Sequence, residues 1–484
     1  MVNKFAKYLE AFLLLFSISG RPKASYFYPI ADKIKTKLSA WKASLLSIAG
    51  RVQLVRSVIQ SMMVYSISVY AWPIQLLKNI ETWSRNFIWS GDINQKKLVT
   101  VAWKKVCTPL GEGGLGLRSL LRLNEAANLK LCWDLLLSKE DWAIILKKRV
   151  LRNGNVINHH VFSSIWSSVK TEFSTVMNNS SWKVGTGQNI NLWLDSWCGG
   201  TLAQTLNVNQ NVLVWLPSKV SDIIHDQKWN IPFHLELLFP TLKNIVQKVT
   251  LPVEPLEDQL CWNNDSSGVL TMKDAYDFKR LHFPVKAWAK TIWCKEVPPS
   301  KSLLVWRLMQ DKIPTDDKLV ERGYSLPSIC SLCHICSEST FHLFFECNFA
   351  VNLWRWLAYI LGKALHFQSL EDIWKFCDSS WTPQCKVAIK SAVINIMSAI
   401  WFARNNARFN NKPTHWKAAV NWIQSNVSLV GNKTSCCSYS SITDFIILKK
   451  FNVSIHPPKA PVIKEVIWHP PFGQWKILAQ IQPS

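Results

Sequence analysis

Cys330-Ser331-Leu332-Cys333, followed by His342 and Cys347, is the stretch on which the reading of this chain turns. Its spacing is Cys-x2-Cys-x8-His-x4-Cys. Four thiolate or imidazole donors suit Zn2+, which takes tetrahedral N/S ligands in structural sites. A two-residue gap lets one turn offer Cys330 and Cys333 to the same ion, and the His342/Cys347 pair closes the site from the other side. With every position filled by protein, none is left for water, so the expected Zn2+ is structural rather than hydrolytic. It would add folding energy to a small domain with little core of its own. Two other readings stay open at this level. Cys333 and Cys336 also make a Cys-x2-Cys pair and His334 lies in the cluster, so the ligands could permute. Alternatively, the thiols are buried side chains that cluster by chance. Most of the thirteen Cys are scattered singly, which does not suggest a secreted disulfide framework.

Outward from the cluster the pattern is mainly helical. The run from Trp288 leads into it as a helix, and residues 385–410 predict a long helix beyond it. Lys433 to Pro461 is rich in Ser, Lys and Pro and reads as a linker. Toward the N-terminus, Ile30, Ile34 and Leu38 mark one helix. Val52, Val55, Val58 and Ile59 mark a second, from about Arg51, with Ser44, Ser47 and Gly50 breaking the two apart. Leu76, Leu77, Ile80, Trp83, Phe87 and Ile88 form a further apolar stripe, and residues 119–152 return to helix. Gly111, Gly113 and Gly116 satisfy G-x-G-x-x-G formally, but Pro109 spoils the strand such a phosphate cradle needs, so a turn is expected. Trp182–Trp197 alternates like a β-hairpin, and Asp265-Ser266-Ser267-Gly268 marks another hairpin-like turn. The fold class is therefore mainly α with small β-hairpins (α+β), with roughly two to four domains in 484 residues. With 26 Trp, helices pinned by large aromatics are expected rather than one large sheet.

Net charge is +24, and residues 1–155 hold 24 Lys/Arg against 9 Asp/Glu. A basic face attracts phosphate backbones or anionic lipid. The bland alternative is a solvated surface. Candidate phosphate contacts are Lys33, Lys37, Lys42, Arg51 and Arg56. Phe12–Phe16 after Lys4 and Lys7 imitates a short signal peptide, but Glu10 interrupts it, and the Cys cluster suits a reducing, intracellular compartment, nuclear or cytoplasmic. No apolar run approaches the ~20 residues that span a bilayer, so no membrane partner is expected.

The cluster sits in a longer string that resembles the zinc-binding domain downstream of reverse transcriptase in plant LINE-type (non-LTR) retrotransposons. The matching pieces are Trp288, Ile292-Trp293, Pro298-Pro299-Ser300-Lys301, Val305-Trp306-Arg307, Lys312-Ile313-Pro314-Thr315, the Cys330–Cys347 ligands and Trp354. Upstream, Tyr26–Ile30, Leu38–Lys42, Leu46–Arg51, Trp72-Pro73, Phe87–Gly91, Trp103 and Gly113–Gly116 resemble the family's thumb and connection region. The resemblance implies a thumb-like basic helical region over 1–155 and a connecting region with hairpins over 156–275. A zinc-binding domain over 276–360 and a helical region over 361–432 follow. Residues 433–484 would hold a linker and a truncated lead-in to a ribonuclease H-like domain. It also implies Zn2+ at Cys330, Cys333, His342 and Cys347, and a nucleic-acid partner, whether RNA, DNA or hybrid.

The family's activity would be RNA-directed DNA polymerase, but this chain is expected not to be an enzyme. Nucleotidyl transfer needs carboxylates that hold two metal ions. The aromatic-x-Asp-Asp turn of reverse transcriptases does not occur. Asp316-Asp317 is the lone Asp-Asp pair, and after Pro314-Thr315 it reads as a helix start. Ile467–Lys476 resembles the lead-in to a ribonuclease H domain, yet Ile477-Leu478-Ala479-Gln480 replaces the expected Asp-Gly strand. The expectation is a non-catalytic, zinc-binding, nucleic-acid-binding fragment. A structural remnant without nucleic-acid affinity and a part of a longer polymerase are the alternatives.

Overall fold

Ser47 illustrates how local chemistry sets the first elements. Its hydroxyl accepts from the Gly50 N–H at 3.2 Å, so the helix starts at Ile48 rather than near Arg51. The computed structural model describes residues 23–458, apart from 153, 154, 158–160, 162, 164, 210 and 368. The apolar run Phe12–Phe16 and the segment Ile467–Lys476 lie outside the described residues. Contacts divide the chain into two units. Among described residues, one comprises 23–290 with 303–326 and the other 291–302 with 327–458.

In the first unit, α1 (Tyr28–Ala40), α2 (Ile48–Val69, with a π turn at Val55–Ile59) and α3 (Ile74–Ser90) bury Ile34, Leu38, Val52, Ile59, Leu77, Ile80 and Phe87. These are the periodic positions read from the sequence. Next come α4 (Leu120–Leu137), α5 (Asp141–Val150), α6 (Trp166–Asn178) and α7 (Met272–Lys279). Trp133 of α4 meets Trp262 edge-on with ring centroids 6.0 Å apart, and Trp262 meets Phe278 of α7 in the same manner at 5.3 Å. Edge-to-face rings add to what their burial already contributes. Tryptophans do pin these helices together.

The glycine stretch is a turn. A 3-10 turn at Leu110–Glu112 leads to Gly113 at φ +83°, and a Cβ on Gly114 would lie 2.1 Å from the Thr108 carbonyl oxygen. The Gly113 carbonyl accepts from Trp306 Nε1 at 2.8 Å and from Gln310 Nε2 at 2.9 Å. Trp306 lies on α8 (Pro299–Met309) and stacks on Trp89 at 6.4 Å. Three separated pieces of the family-like string, at Trp89, Gly113 and Trp306, thus meet in one place. Helix α9 (Asp316–Val320) starts after Thr315, as the Asp-Asp context indicates, with Asp316 buried.

The hairpin expected at Trp182–Trp197 does not form. Ser180–Lys183 pairs antiparallel with Gln259–Trp262 instead. Side-chain oxygens take the backbone donors that a local partner strand would have used. Asn191 Oδ1 accepts from Trp193 and Leu194 N–H, and the Asp258 carboxylate accepts from Gly185, Gly187 and Asn189 N–H. The turn at Asp265–Gly268 does form, closed by Gly268 N–H to Asp265 O at 3.2 Å, but no second strand follows, because Thr271 caps α7. Other strands among the described residues are short pairs, Leu151–Arg152 with Asn155–Val156 and Ile224–His225 with Lys228–Trp229.

The second unit is a helical assembly around one long element. Helices α10 (Asn348–Leu361), α11 (Leu370–Cys377), α13 (Trp416–Lys433) and α14 (Ile442–Lys450) all pack on α12 (Pro383–Asn410). Pro383 occupies the first turn of α12, where its missing N–H is harmless, and Asn411 at φ +50° ends it. The segment expected to be a linker carries α14, with Ile447, Leu448, Phe451 and Val453 buried. A Cβ on Gly431 would sit 2.5 Å from Val453 Cγ2, so this segment lies directly against α13. Its Ser, Lys and Pro content masked where its few apolar residues fall.

The expectation that no run approaches bilayer-spanning length also needs correction. Ile48–Val69 and Pro383–Asn410 are each long and apolar enough to cross a membrane by length and composition. The apolar window of Pro383–Asn410 is 78% buried inside the protein and that of Ile48–Val69 39%.

Candidate metal centre

Cys330 and Cys333 sit on a tight turn. The Cys330 N–H donates to the Cys336 carbonyl at 2.8 Å, the His334 N–H donates back to the Cys330 carbonyl at 2.9 Å, and His334 adopts φ +55°. His342 and Cys347 bracket a π turn, His342–Glu346, closed by the Cys347 N–H to the His342 carbonyl at 2.7 Å. The extra residue in a π turn rotates the chain further than an α turn, and such turns recur at functional sites. Here it brings a His and a Cys five positions apart to one point. Trp354 of α10 holds the turn from behind, its Nε1 donating to the Phe344 carbonyl at 2.8 Å and its ring stacking on Phe345.

The four side chains converge. Cys330 Sγ and Cys347 Sγ are 3.8 Å apart, Cys333 Sγ and His342 Nε2 are 3.4 Å apart, and all four donor atoms lie within 4.8 Å of one another. Tetrahedral zinc, with Zn–S near 2.3 Å and Zn–N near 2.0–2.1 Å, puts its donors about 3.6–3.8 Å apart. The residues therefore fit a four-coordinate ion without rearrangement of the chain. Cys330, His342 and Cys347 are buried, and Cys333 is half-buried. The hydrogen bond with Cys347 holds the Cys330 thiol below its usual range, while the same bond together with burial pushes Cys347 up. His342 presents Nε2 to the thiols, and its Nδ1 faces the Glu346 carboxylate at 3.8 Å, on the side where metal-bound histidines commonly meet an orienting acceptor. Cys336 is exposed and stands outside the set, contributing its backbone carbonyl instead.

One contact here has no local sequence signal. Glu338 lies between Cys333 and His342, its side chain wholly buried, and forms a bidentate ion pair with Arg404 of α12 at 2.6 and 2.9 Å. Arg408 approaches the same carboxylate at 3.6 Å. The pair ties the ligand loop to the long helix. Its partners stand 66 residues apart, so neither the motif nor the periodicity of α12 could announce it.

The five candidate phosphate contacts lie in the first unit and separate into two kinds. Lys33 and Lys42 are exposed and Lys37 is half-exposed. Arg51, half-buried, and Arg56, exposed, also bind backbone. Arg51 donates to the Ala43 carbonyl at 3.0 and 3.3 Å and to the Ile88 carbonyl at 3.3 Å, with its pKa lowered by burial. Arg56 donates to the Leu115 and Gly116 carbonyls at 3.2 and 3.1 Å.

Comparison with known proteins bears on this geometry. Residues 270–354 match the family described as zinc-binding in reverse transcriptase. The segment is a reverse-transcriptase zinc-binding domain. It contains all four converging donors, Trp306 and Trp354. Over 348 residues, 68% of its length, the chain is 26% identical to an Arabidopsis thaliana protein named "putative ribonuclease H protein". It spans 55% of that relative's length. An uncharacterized mitochondrial protein of the same plant is 28% identical over 148 residues, which are 28% of this chain and 90% of that protein. These likenesses agree with a retrotransposon reverse-transcriptase region.

Proposed function

We propose that this chain is a zinc-stabilised, nucleic-acid-binding part of a plant LINE-type, non-LTR reverse transcriptase, without a catalytic carboxylate set of its own. The observation that carries the reading is the convergence of Cys330, Cys333, His342 and Cys347 inside a segment matching the reverse-transcriptase zinc-binding family. Zn2+ bound there would supply cross-linking of the loop. Cys330 and Cys333 anchor one side of the site, His342 and Cys347 the other, and Glu338 joins the loop to α12. Four protein ligands leave no coordination position for a reacting water. Asp316 and Asp317 open a helix, and Asp316 is buried. Among the described residues, no other group of three or more His, Cys, Asp or Glu side chains converges on one point. A net charge of +24 supports a polyanionic partner.

A second reading has specific support. The chain spans 55% of a relative whose name speaks of ribonuclease H, so it fits equally as a portion of a longer RNA-directed DNA polymerase with a ribonuclease H domain. Two assays on the full chain test the first reading. The expected results are salt-dependent binding of labelled RNA, DNA or hybrid, and no primer extension on an RNA template with Mg2+ or Mn2+. Extension that survives replacement of Asp316 and Asp317 would contradict the non-catalytic reading. Absence of binding at low salt would remove the nucleic-acid role.

A further inference from the structure

We infer that the elbow where α12 turns into α13 is a single-stranded nucleic-acid contact of this chain, which deepens the nucleic-acid reading above and rests on it. Charge is the first observation. Between Asp378 and Asp444 the sequence contains seven Lys/Arg and no Asp or Glu. Part of this charge is used internally. Lys386 and Lys390 reach Asp378, and Arg404 and Arg408 share Glu338. Lys433 lies at the far end of α13, and Lys412 and Lys417, both exposed, stand at the elbow.

Exposed aromatics are the second observation. Phe402 is 63% and Phe409 70% exposed, although α12 is otherwise the most buried helix of its unit. Seven residues apart, they share one face of the helix, roughly 10 Å apart along its axis. Across the elbow, His415 stacks against Trp416 at 5.9 Å, and Lys417 Nζ lies 5.9 Å from the Trp416 ring. The elbow is built rather than loose, since the Lys412 N–H donates to the Asn406 carbonyl at 3.1 Å.

Stability does not account for this arrangement. Basic residues near a helix C-terminus offset its dipole, which covers Arg408. Lys417, however, stands in the first turn of α13, where the dipole opposes a positive charge and no acidic residue relieves it. Nor does core packing ask for two phenylalanines in water. Exposed rings beside exposed lysines are what single strands need, with bases stacking on aromatics and phosphates meeting cations. A duplex would offer the charge but hide the base faces. The elbow also belongs to the unit that holds the metal centre, and Arg404 on the same helix grips Glu338 of the ligand loop.

The test uses the full chain and labelled 20-nucleotide oligo(U), oligo(dT) and duplex DNA, titrated across salt. Wild type should prefer the single strands. Lys412→Gln with Lys417→Gln should flatten the slope of log K against log salt by about 1.4, since each single-strand phosphate contact contributes ~0.7. Phe402→Ala with Phe409→Ala should weaken single-strand binding about tenfold or more with little change of slope, because stacking carries no counterion release. All four side chains are exposed, so the variants should keep the wild-type circular dichroism and zinc content. If wild type binds no nucleic acid, the proposed function fails, and this inference with it. If wild type binds and both double variants bind as wild type does, only the elbow is overturned. Binding to anionic phosphatidylserine vesicles that depends on Phe402 and Phe409, without nucleic-acid binding, would overturn it in favour of a membrane.

Discussion

The ligand loop at 330–347 and the Trp89–Gly113–Trp306 dock are held by opposite means. The dock is a close-packed site, with two stacked indoles, a glycine turn that admits no extra carbon, and a carbonyl that accepts two side-chain N–H groups. The loop has little apolar interior of its own. It relies on four donor side chains for one ion and on a buried Glu338–Arg404 pair. Burial of apolar surface depends weakly on solution conditions, whereas ligands must be deprotonated before they bind metal. The loop should therefore answer to chelators and acid, and the dock should not.

The largest effect should come from removing a donor. Cys347→Ala leaves three ligands, and structural zinc is worth on the order of 10 kcal/mol to small domains that need it. The ligand loop should lose its hydrogen-exchange protection, while amides around Trp306 keep theirs. Equal loss at both places would break the contrast. Next comes the dock itself. Trp306→Ala should destabilise its unit by ~3–5 kcal/mol through the cavity it leaves, with zinc content unchanged. Denaturant melts paired with metal analysis check both halves of that statement.

Arg404→Met should cost about 3 kcal/mol, because it takes the bidentate partner from the buried Glu338 carboxylate. Adding Glu338→Gln should recover much of this loss, since the uncompensated charge is then gone. A double-mutant cycle that shows no coupling would mean that the pair does not fasten the loop.

The smallest effect concerns pH. Lys301 Nζ meets Asn395 Oδ1 at 2.6 Å and Asn426 Oδ1 at 2.7 Å, and burial lowers its pKa from 10.5 to about 8. The folded state then binds fewer protons than the unfolded state between those values, so stability should rise with pH across about 8 to 10.5. Relative to Lys301→Met, wild type should gain in that window by well under the full shift, because the side chain is partly solvated. A flat difference between the two proteins would assign no role to the buried charge.

What was legible in the sequence follows the same divide. The donor set could be read because metal geometry imposes short, fixed spacings on the chain. The long helix at 385–410 and the turn at Gly111–Gly116 were equally plain, since periodicity and missing side chains are local properties. The backbone carbonyls that Arg51 and Arg56 bind could not be read, because every residue carries one and no sequence advertises it. The Trp182–Trp197 alternation misled because the partner of Ser180–Lys183 lies at Gln259–Trp262, and Asn191 and Asp258 had claimed the local donors. Glu338 and Arg404 are ordinary exposed residue types that became buried only by meeting each other.

Metal content of the full chain tests the central claim most directly. Protein purified without added metal, dialysed and analysed by mass spectrometry should carry one zinc per chain, lost on Cys330→Ser or Cys347→Ala and retained on Cys336→Ser. A chain that folds fully with no zinc, or that loses zinc on Cys336→Ser while keeping it on Cys330→Ser, would contradict the account.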